Sequence, residues 1–74
     1  MSKELRQYGN YTKYEKEKEG SRAEAMELMM KDMEMCIGEL TKQYPDERII
    51  DKHLIVNPEL GTAAWKCRVE IDAP

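Results

Sequence analysis

Three side chains in this sequence could take part in nucleophilic or metal chemistry: His53, Cys36 and Cys67. A cysteine nucleophile needs a base such as imidazole within hydrogen-bond reach. The strand pattern described below places Cys67 on the apolar side of the last strand and His53 on the opposite side of its neighbour. Zinc needs about four ligands, and two cysteines with one distant histidine fall short. The sequence therefore predicts a protein that is not an enzyme and holds no metal or cofactor.

The N-terminal tyrosines offer a different chemistry, which is stacking on nucleic-acid bases. Tyr8, Tyr11 and Tyr14 are interleaved with basic residues, a combination suited to single strands. Three glutamates at positions 15, 17 and 19 offset these cations, and the whole chain has a net charge of −3. Duplex nucleic acid usually requires a basic patch, which this sequence lacks. Weak binding of single strands through this Tyr/Lys segment is therefore only an alternative function.

Length and composition limit the chain to one small domain, residues 1–74. A chain of this size buries only about 60–65% of the surface that its unfolded form exposes, so a second subunit would supply useful extra burial. No apolar run approaches the roughly 18 residues that span a bilayer. The first residues lack the apolar segment of a secretion signal. We expect a cytoplasmic protein with reduced thiols and no membrane partner.

A helix is predicted between Ser21 and Tyr44. The four residues S-R-A-E that start at Ser21 match a capping box, in which the serine and Glu24 side chains bond to each other's backbone amides. Pro45 ends the helix because the residue before a proline disfavours helical geometry. At 100° per residue the apolar side chains form one stripe, which predicts the core face. This stripe comprises Met26, Met29, Met30, Met33, Ile37, Leu40 and Tyr44.

Two apolar residues of the helix fall outside this stripe. Leu28 and Met35 lie one heptad apart, at about 180–200° from Met26, and their neighbours are charged. A single exposed methionine is ordinary, whereas a stacked pair of apolar side chains indicates a second contact surface. Leu28 and Met35 are therefore predicted to bind a partner.

Two later segments alternate with the period of a β-strand, Ile49–Asn57 and Ala63–Asp72. In the first, Ile50, Leu54 and Val56 share the predicted core face, while Ile49 and Ile55 fall on the other face. Turn residues bound both segments, which predicts a hairpin packed on the methionine-rich side of the helix. The predicted core face of the last strand comprises Ala63, Trp65, Cys67, Val69 and Ile71.

The first twenty residues carry a weaker pattern, which favours a strand between Tyr8 and Glu19 because of its Tyr and Thr content. Residues 1–10 are left open as a flexible arm. The predicted fold is α+β, a single β-α-β-β domain with one amphipathic helix packed on a three-stranded sheet. A right-handed crossover would place the third strand in the middle, antiparallel to both neighbours, with the tyrosine-rich strand at an edge.

The function predicted from these features is a non-enzymatic protein-interaction domain. It would be a self-associating subunit, or a small inhibitor or adaptor of bacterial or phage type that occupies a partner's surface. A binder of small molecules, with its site formed between the subunits of an oligomer, is an alternative, because one thin domain has little room for a pocket. The predicted partner-binding residues are Tyr8, Tyr11, Tyr14, Leu28, Met35, Ile49 and Ile55.

Overall fold

The computed structural model describes residues 2–73 and contains four elements in chain order. These are β1 (Ser2–Lys13), α1 (Ser21–Gln43), β2 (Arg48–Asn57) and β3 (Thr62–Ala73). β3 lies between β1 and β2 and runs antiparallel to both. The predicted α+β fold, with one helix packed on a three-stranded sheet and the third strand in the middle, is confirmed.

The first strand begins and ends earlier than the tyrosine pattern predicted. Residues 2–10, left open as a flexible arm, form most of β1 and pair with β3 throughout. Met1 lies outside the described residues. Residues 14–19, predicted as strand, lie outside β1, and residues 16–20 form turns instead. The turns are needed because the chain must reverse after Tyr14 to enter α1 over the sheet.

The predicted capping box at the start of α1 is wrong. Gly20 is the N-cap, with a φ of 84° in the left-handed region that glycine adopts without strain. Its carbonyl accepts the first helical hydrogen bond from Glu24 N–H at 3.0 Å. The Ser21 hydroxyl instead accepts from Glu15 N–H at 3.0 Å, which fixes the preceding turn. The predicted end is confirmed, since α1 stops at Gln43 and Tyr44 is its C-cap.

The core lies between α1 and the sheet face that α1 covers. Trp65 is at its centre, 3% exposed, in the middle of β3. Its indole N–H donates to the Asp32 carboxylate at 2.8 Å, so the buried ring also satisfies its one polar group. The core residues are Ala25, Met29, Met33 and Leu40 of the helix with Ala63, Trp65, Cys67, Val69 and Ile71 of β3.

The buried side of the helix is rotated relative to the predicted stripe. Met29 and Met33 are buried as predicted, but Met26 is half-buried and Met30 is exposed. Asp32 accounts for the rotation, because it accepts hydrogen bonds from both β3 and β1 and draws that flank of α1 onto the sheet. The centre of the buried face therefore moves from Met26 to Met29, by about 60°.

Because of a β-bulge in β2, one side chain lies on the opposite face of the sheet from the predicted one. Ile49 pairs with Val69 on the helix-covered face, and the next register pair is Asp51 with Arg68 on the other face. Ile50 is the extra residue between them. Ile49 therefore lies on the side that α1 covers, contrary to the prediction. Ile55 pairs with Ala64, away from α1, as predicted.

Candidate interaction surface

β1 presents a row of backbone groups that take no part in its ladder with β3, and among them the Tyr11 N–H donates to the Asn10 Oδ1 at 2.9 Å. Tyr14 N–H donates to the Gly61 carbonyl at 2.8 Å, and this bond continues the register of β1 with β3. Along an antiparallel strand, alternate residues direct their backbone groups to opposite sides. The even-numbered residues of β1 therefore bond to β3. The odd-numbered residues, from Lys3 to Lys13, direct their N–H and C=O groups outward.

Exposed apolar side chains flank this row on both faces of the sheet. Leu5 and Tyr11 project from the face that α1 leaves uncovered, hereafter the open face, and are 56% and 64% exposed. On the helix side, Leu28 and Met35 are 54% and 70% exposed. Leu28 shares a shallow cavity with Thr12, which places it beside β1. We call the outer edge of β1 with Leu5, Tyr11, Leu28 and Met35 the β1 edge surface.

The structure brings together only some of the predicted partner-binding residues. Tyr11, Leu28 and Met35 belong to the β1 edge surface, whereas Ile49 and Ile55 lie in β2, at the other edge of the sheet.

Tyr8 and Tyr14 are half-buried and pack against the core, so they support the fold beside the surface. Leu5 was missed because the predicted strand started at Tyr8. The sequence gives no clear signal for it, since apolar and polar residues do not alternate regularly between Leu5 and Tyr11.

The middle of β1 is nearly free of charge. Between Leu5 and Tyr11 the only charged residue is Arg6, on the helix-covered face. Its guanidinium lies 5.3 Å from the centre of the Tyr44 ring and donates to the Tyr44 hydroxyl at 3.1 Å and the Glu4 carboxylate at 3.2 Å. An approaching strand would therefore meet an Arg6 guanidinium that already has hydrogen-bond partners within this chain.

The outer edge of β2 is built differently. The bulge at Ile50 interrupts its regular pairing, and three consecutive polar or charged residues, Asp51, Lys52 and His53, occupy its middle. Bulges and charges are the features by which natural sheets prevent their edges from pairing. β1 has an unbroken register over twelve residues. It is therefore the edge better suited to receive another strand.

The open face also carries a polar cleft, with a volume of about 560 Å³. Lys66 lies at its centre, between Gly9 of β1 and His53 of β2. Arg68 forms an ion pair with Asp51, and this hydrogen bond lowers the pKa of the Asp51 carboxyl below its ordinary value. The cleft thus contains mixed charge, with Lys66 as its cation without an ion-pair partner among the described residues.

The two thiols are poorly placed for nucleophilic chemistry. Cys67 pairs with Lys52 on the helix-covered face, while His53 pairs with Lys66 on the open face, so the predicted separation is confirmed. Burial raises the pKa of the Cys67 thiol and that of Cys36 above the ordinary thiol value. A raised pKa lowers the fraction of thiolate, which is the reactive form.

No protein-family model, curated protein or solved structure matches this chain. Within residues 2–73, no helix has the length and apolar character needed to cross a membrane. Over the same described residues, no three His, Cys, Asp or Glu side chains are grouped so that they could hold a metal ion. The β1 edge surface is therefore the feature from which we infer a function.

Stability should fall in acid partly through Asp32. Hydrogen bonds from Asn10 and then Trp65 lower the pKa of this carboxyl below its ordinary value of 3.8. A lowered pKa stabilises the fold at pH values above 3.8, and that contribution is lost as the pH falls through the lowered pKa. Urea unfolding at pH 7 and at pH 3 should show a smaller loss of stability for Asp32→Asn than for the parent chain. Identical losses would contradict this role, since Asp51 contributes equally to both chains.

Proposed function

We propose that the protein is a non-enzymatic interaction domain that binds by adding a strand of another polypeptide to the outer edge of β1. The observation that carries this proposal is the β1 edge surface: a regular, unbulged strand edge with exposed apolar side chains on both faces. In this mode of binding, backbone hydrogen bonds supply affinity, and the side chains on either side supply specificity. The domain would act as a self-associating subunit, or as an inhibitor or adaptor that occupies a partner's strand.

The small size of the domain supports this proposal. The helix-covered face of the sheet has one layer of core, and nine large apolar side chains of the described residues remain exposed. Four of them flank the outer edge of β1, Leu5 and Tyr11 on the open face and Leu28 and Met35 on the helix side. Large exposed apolar patches on small proteins mark interaction sites more often than isolated exposed residues do.

Gln7→Pro should abolish binding at this edge and leave the fold intact. Gln7 directs its N–H outward, so proline removes a donor from the free edge and none from the β1–β3 ladder. We expect association to weaken by about tenfold or more, since one hydrogen bond is lost and the proline ring obstructs the incoming strand. Sedimentation velocity over a range of micromolar concentrations measures the effect. Gln7→Thr is the matched control, because it changes the same side chain but keeps the N–H.

Each result of this comparison decides the proposal. Unchanged association in Gln7→Pro, with circular dichroism showing a folded protein, would overturn binding at the β1 edge. If the parent chain sediments as a monomer, the inhibitor or adaptor form is the one under test. Tagged Gln7→Thr should then retain a protein from the source cells that tagged Gln7→Pro does not. Retention of the same proteins by both variants would again overturn the proposal.

A further inference from the structure

We infer that the strand received by β1 is the β1 of a second copy of this chain, antiparallel to the first about a two-fold axis at Tyr8. The inference rests on the proposed function and names its partner. Two such sheets would join into one sheet of six strands, with both helices on the same face. A two-fold interface requires a surface that is complementary to itself, and the residues of β1 meet this requirement.

The backbone allows only certain registers. Side chains that face each other across an antiparallel pair lie on the same face of the sheet, so an odd-numbered residue must meet an odd-numbered one. With the axis at Tyr8, Leu5 meets Tyr11 of the second copy at two symmetric places, and Gln7 meets Gly9 between them. All four positions belong to the outward-bonding set, so each such pair would exchange two backbone hydrogen bonds once the Tyr11 N–H leaves the Asn10 Oδ1 to which it donates at 2.9 Å.

The adjacent registers match the side chains less well. An axis at Gln7 would set Leu5 against Gly9 and Tyr11 against Lys3. An axis at Gly9 would set Leu5 against Lys13 and Tyr11 against Gln7. Only the axis at Tyr8 pairs the two exposed apolar residues of the open face with each other, and aromatic–aliphatic pairs across strands are stabilising.

The charges on the helix-covered face fit the same register. Arg6 would face Asn10 of the second copy, and the Asn10 amide donates to the Asp32 carboxylate at 3.0 Å. Each guanidinium would thus approach a carboxylate of the other chain. The one like-charge pair, Lys3 with Lys13, falls at the exposed ends of the interface, and Lys3 already has Asp72 at 2.9 Å.

The exposed helix residues would be covered by the same interface. Leu28 lies beside Thr12 and Asp32 bonds to Asn10, so α1 runs antiparallel to β1. Continuing one turn from Asp32 brings Met35 to about the level of Tyr8, close to the axis. Adjacent strands are about 4.8 Å apart and α1 packs mainly on β3, so the two helices would lie about three strand spacings apart, with these flanks facing each other across the axis. Met35 and Leu28 would then lie between the helices.

Cysteine cross-linking tests this register directly. With the axis at Tyr8, Glu4 faces Thr12 of the second copy as a non-hydrogen-bonded pair, the kind with the closest side chains. A mixture of Glu4→Cys and Thr12→Cys chains should form a disulfide-linked dimer under mild oxidation, with about tenfold more product than either variant alone. The parent chain gives the background from Cys36 and Cys67.

The possible outcomes separate this inference from the proposed function. Equal cross-linking of the mixture and of each single variant would overturn the register. No cross-link in a mixture whose components fold would overturn the symmetric dimer. In that case a difference between Gln7→Pro and Gln7→Thr in retaining a different protein would still support strand addition at β1. If neither cross-linking nor that difference is seen, both the dimer and the proposed function are wrong.

Discussion

Trp65→Ala should severely destabilise the domain and shift its unfolding to a much lower urea concentration. Truncating a buried tryptophan to alanine typically costs about 3–5 kcal/mol. The whole free energy of unfolding of a chain this long is only about 4–11 kcal/mol. Trp65 lies at the centre of β3, between Asn10 of β1 and Leu54 of β2, so its loss opens the middle of the core. The deleted indole also removes one of the two hydrogen bonds by which Asp32 ties α1 to the sheet, and the bond from Asn10 remains.

Trp65→Phe separates the two contributions of this residue. Phenylalanine keeps an aromatic ring in the core but cannot donate to Asp32, so it should cost less than alanine by about 2 kcal/mol. Circular dichroism during urea unfolding is the appropriate measurement, because each variant removes the only tryptophan and its fluorescence. If Trp65→Ala unfolds cooperatively with the same urea midpoint as the parent chain, Trp65 does not hold the core as the structure indicates.

The fold was predictable because α1 and β3 carry strong periodic signals, although β1 does not. In β3, polar and apolar side chains alternate from Ala63 to Asp72, and all five predicted core positions are buried. Such alternation fixes which face of a strand is covered, and a proline fixes where a helix ends. A bulge adds one residue without changing the residue types. The alternation of polar and apolar residues therefore could not predict on which face of the sheet Ile49 lies.

The proposed interaction surface was only partly predictable for a different reason. The sequence identified Leu28 and Met35 as exposed apolar residues because they depart from the helical stripe. It could not show that they lie on the flank of α1 next to β1, since that depends on the strand order and on the hydrogen bonds that Asp32 accepts from Asn10 and Trp65. Those are contacts between distant segments, and local periodicity contains no information about them.

Two single substitutions of opposite charge should each abolish self-association and restore it when mixed. In the inferred dimer, Leu5→Glu sets two glutamates against Tyr11, and Tyr11→Lys sets two lysines against Leu5. Each homodimer loses two apolar pairs and desolvates two unpaired charges. A total cost of about 3 kcal/mol corresponds to roughly a hundredfold weaker dimer.

The mixed dimer escapes this cost because of its symmetry. One Leu5→Glu chain and one Tyr11→Lys chain form a glutamate–lysine pair at one place and keep the native Leu5–Tyr11 pair at the other. Sedimentation of each variant alone should show monomers, and the equimolar mixture should show dimers. Both side chains are exposed in the monomer, so neither substitution should change the urea midpoint at low concentration. Dimers in either variant alone, or monomers in the mixture, would mean that Leu5 does not meet Tyr11 across the axis at Tyr8.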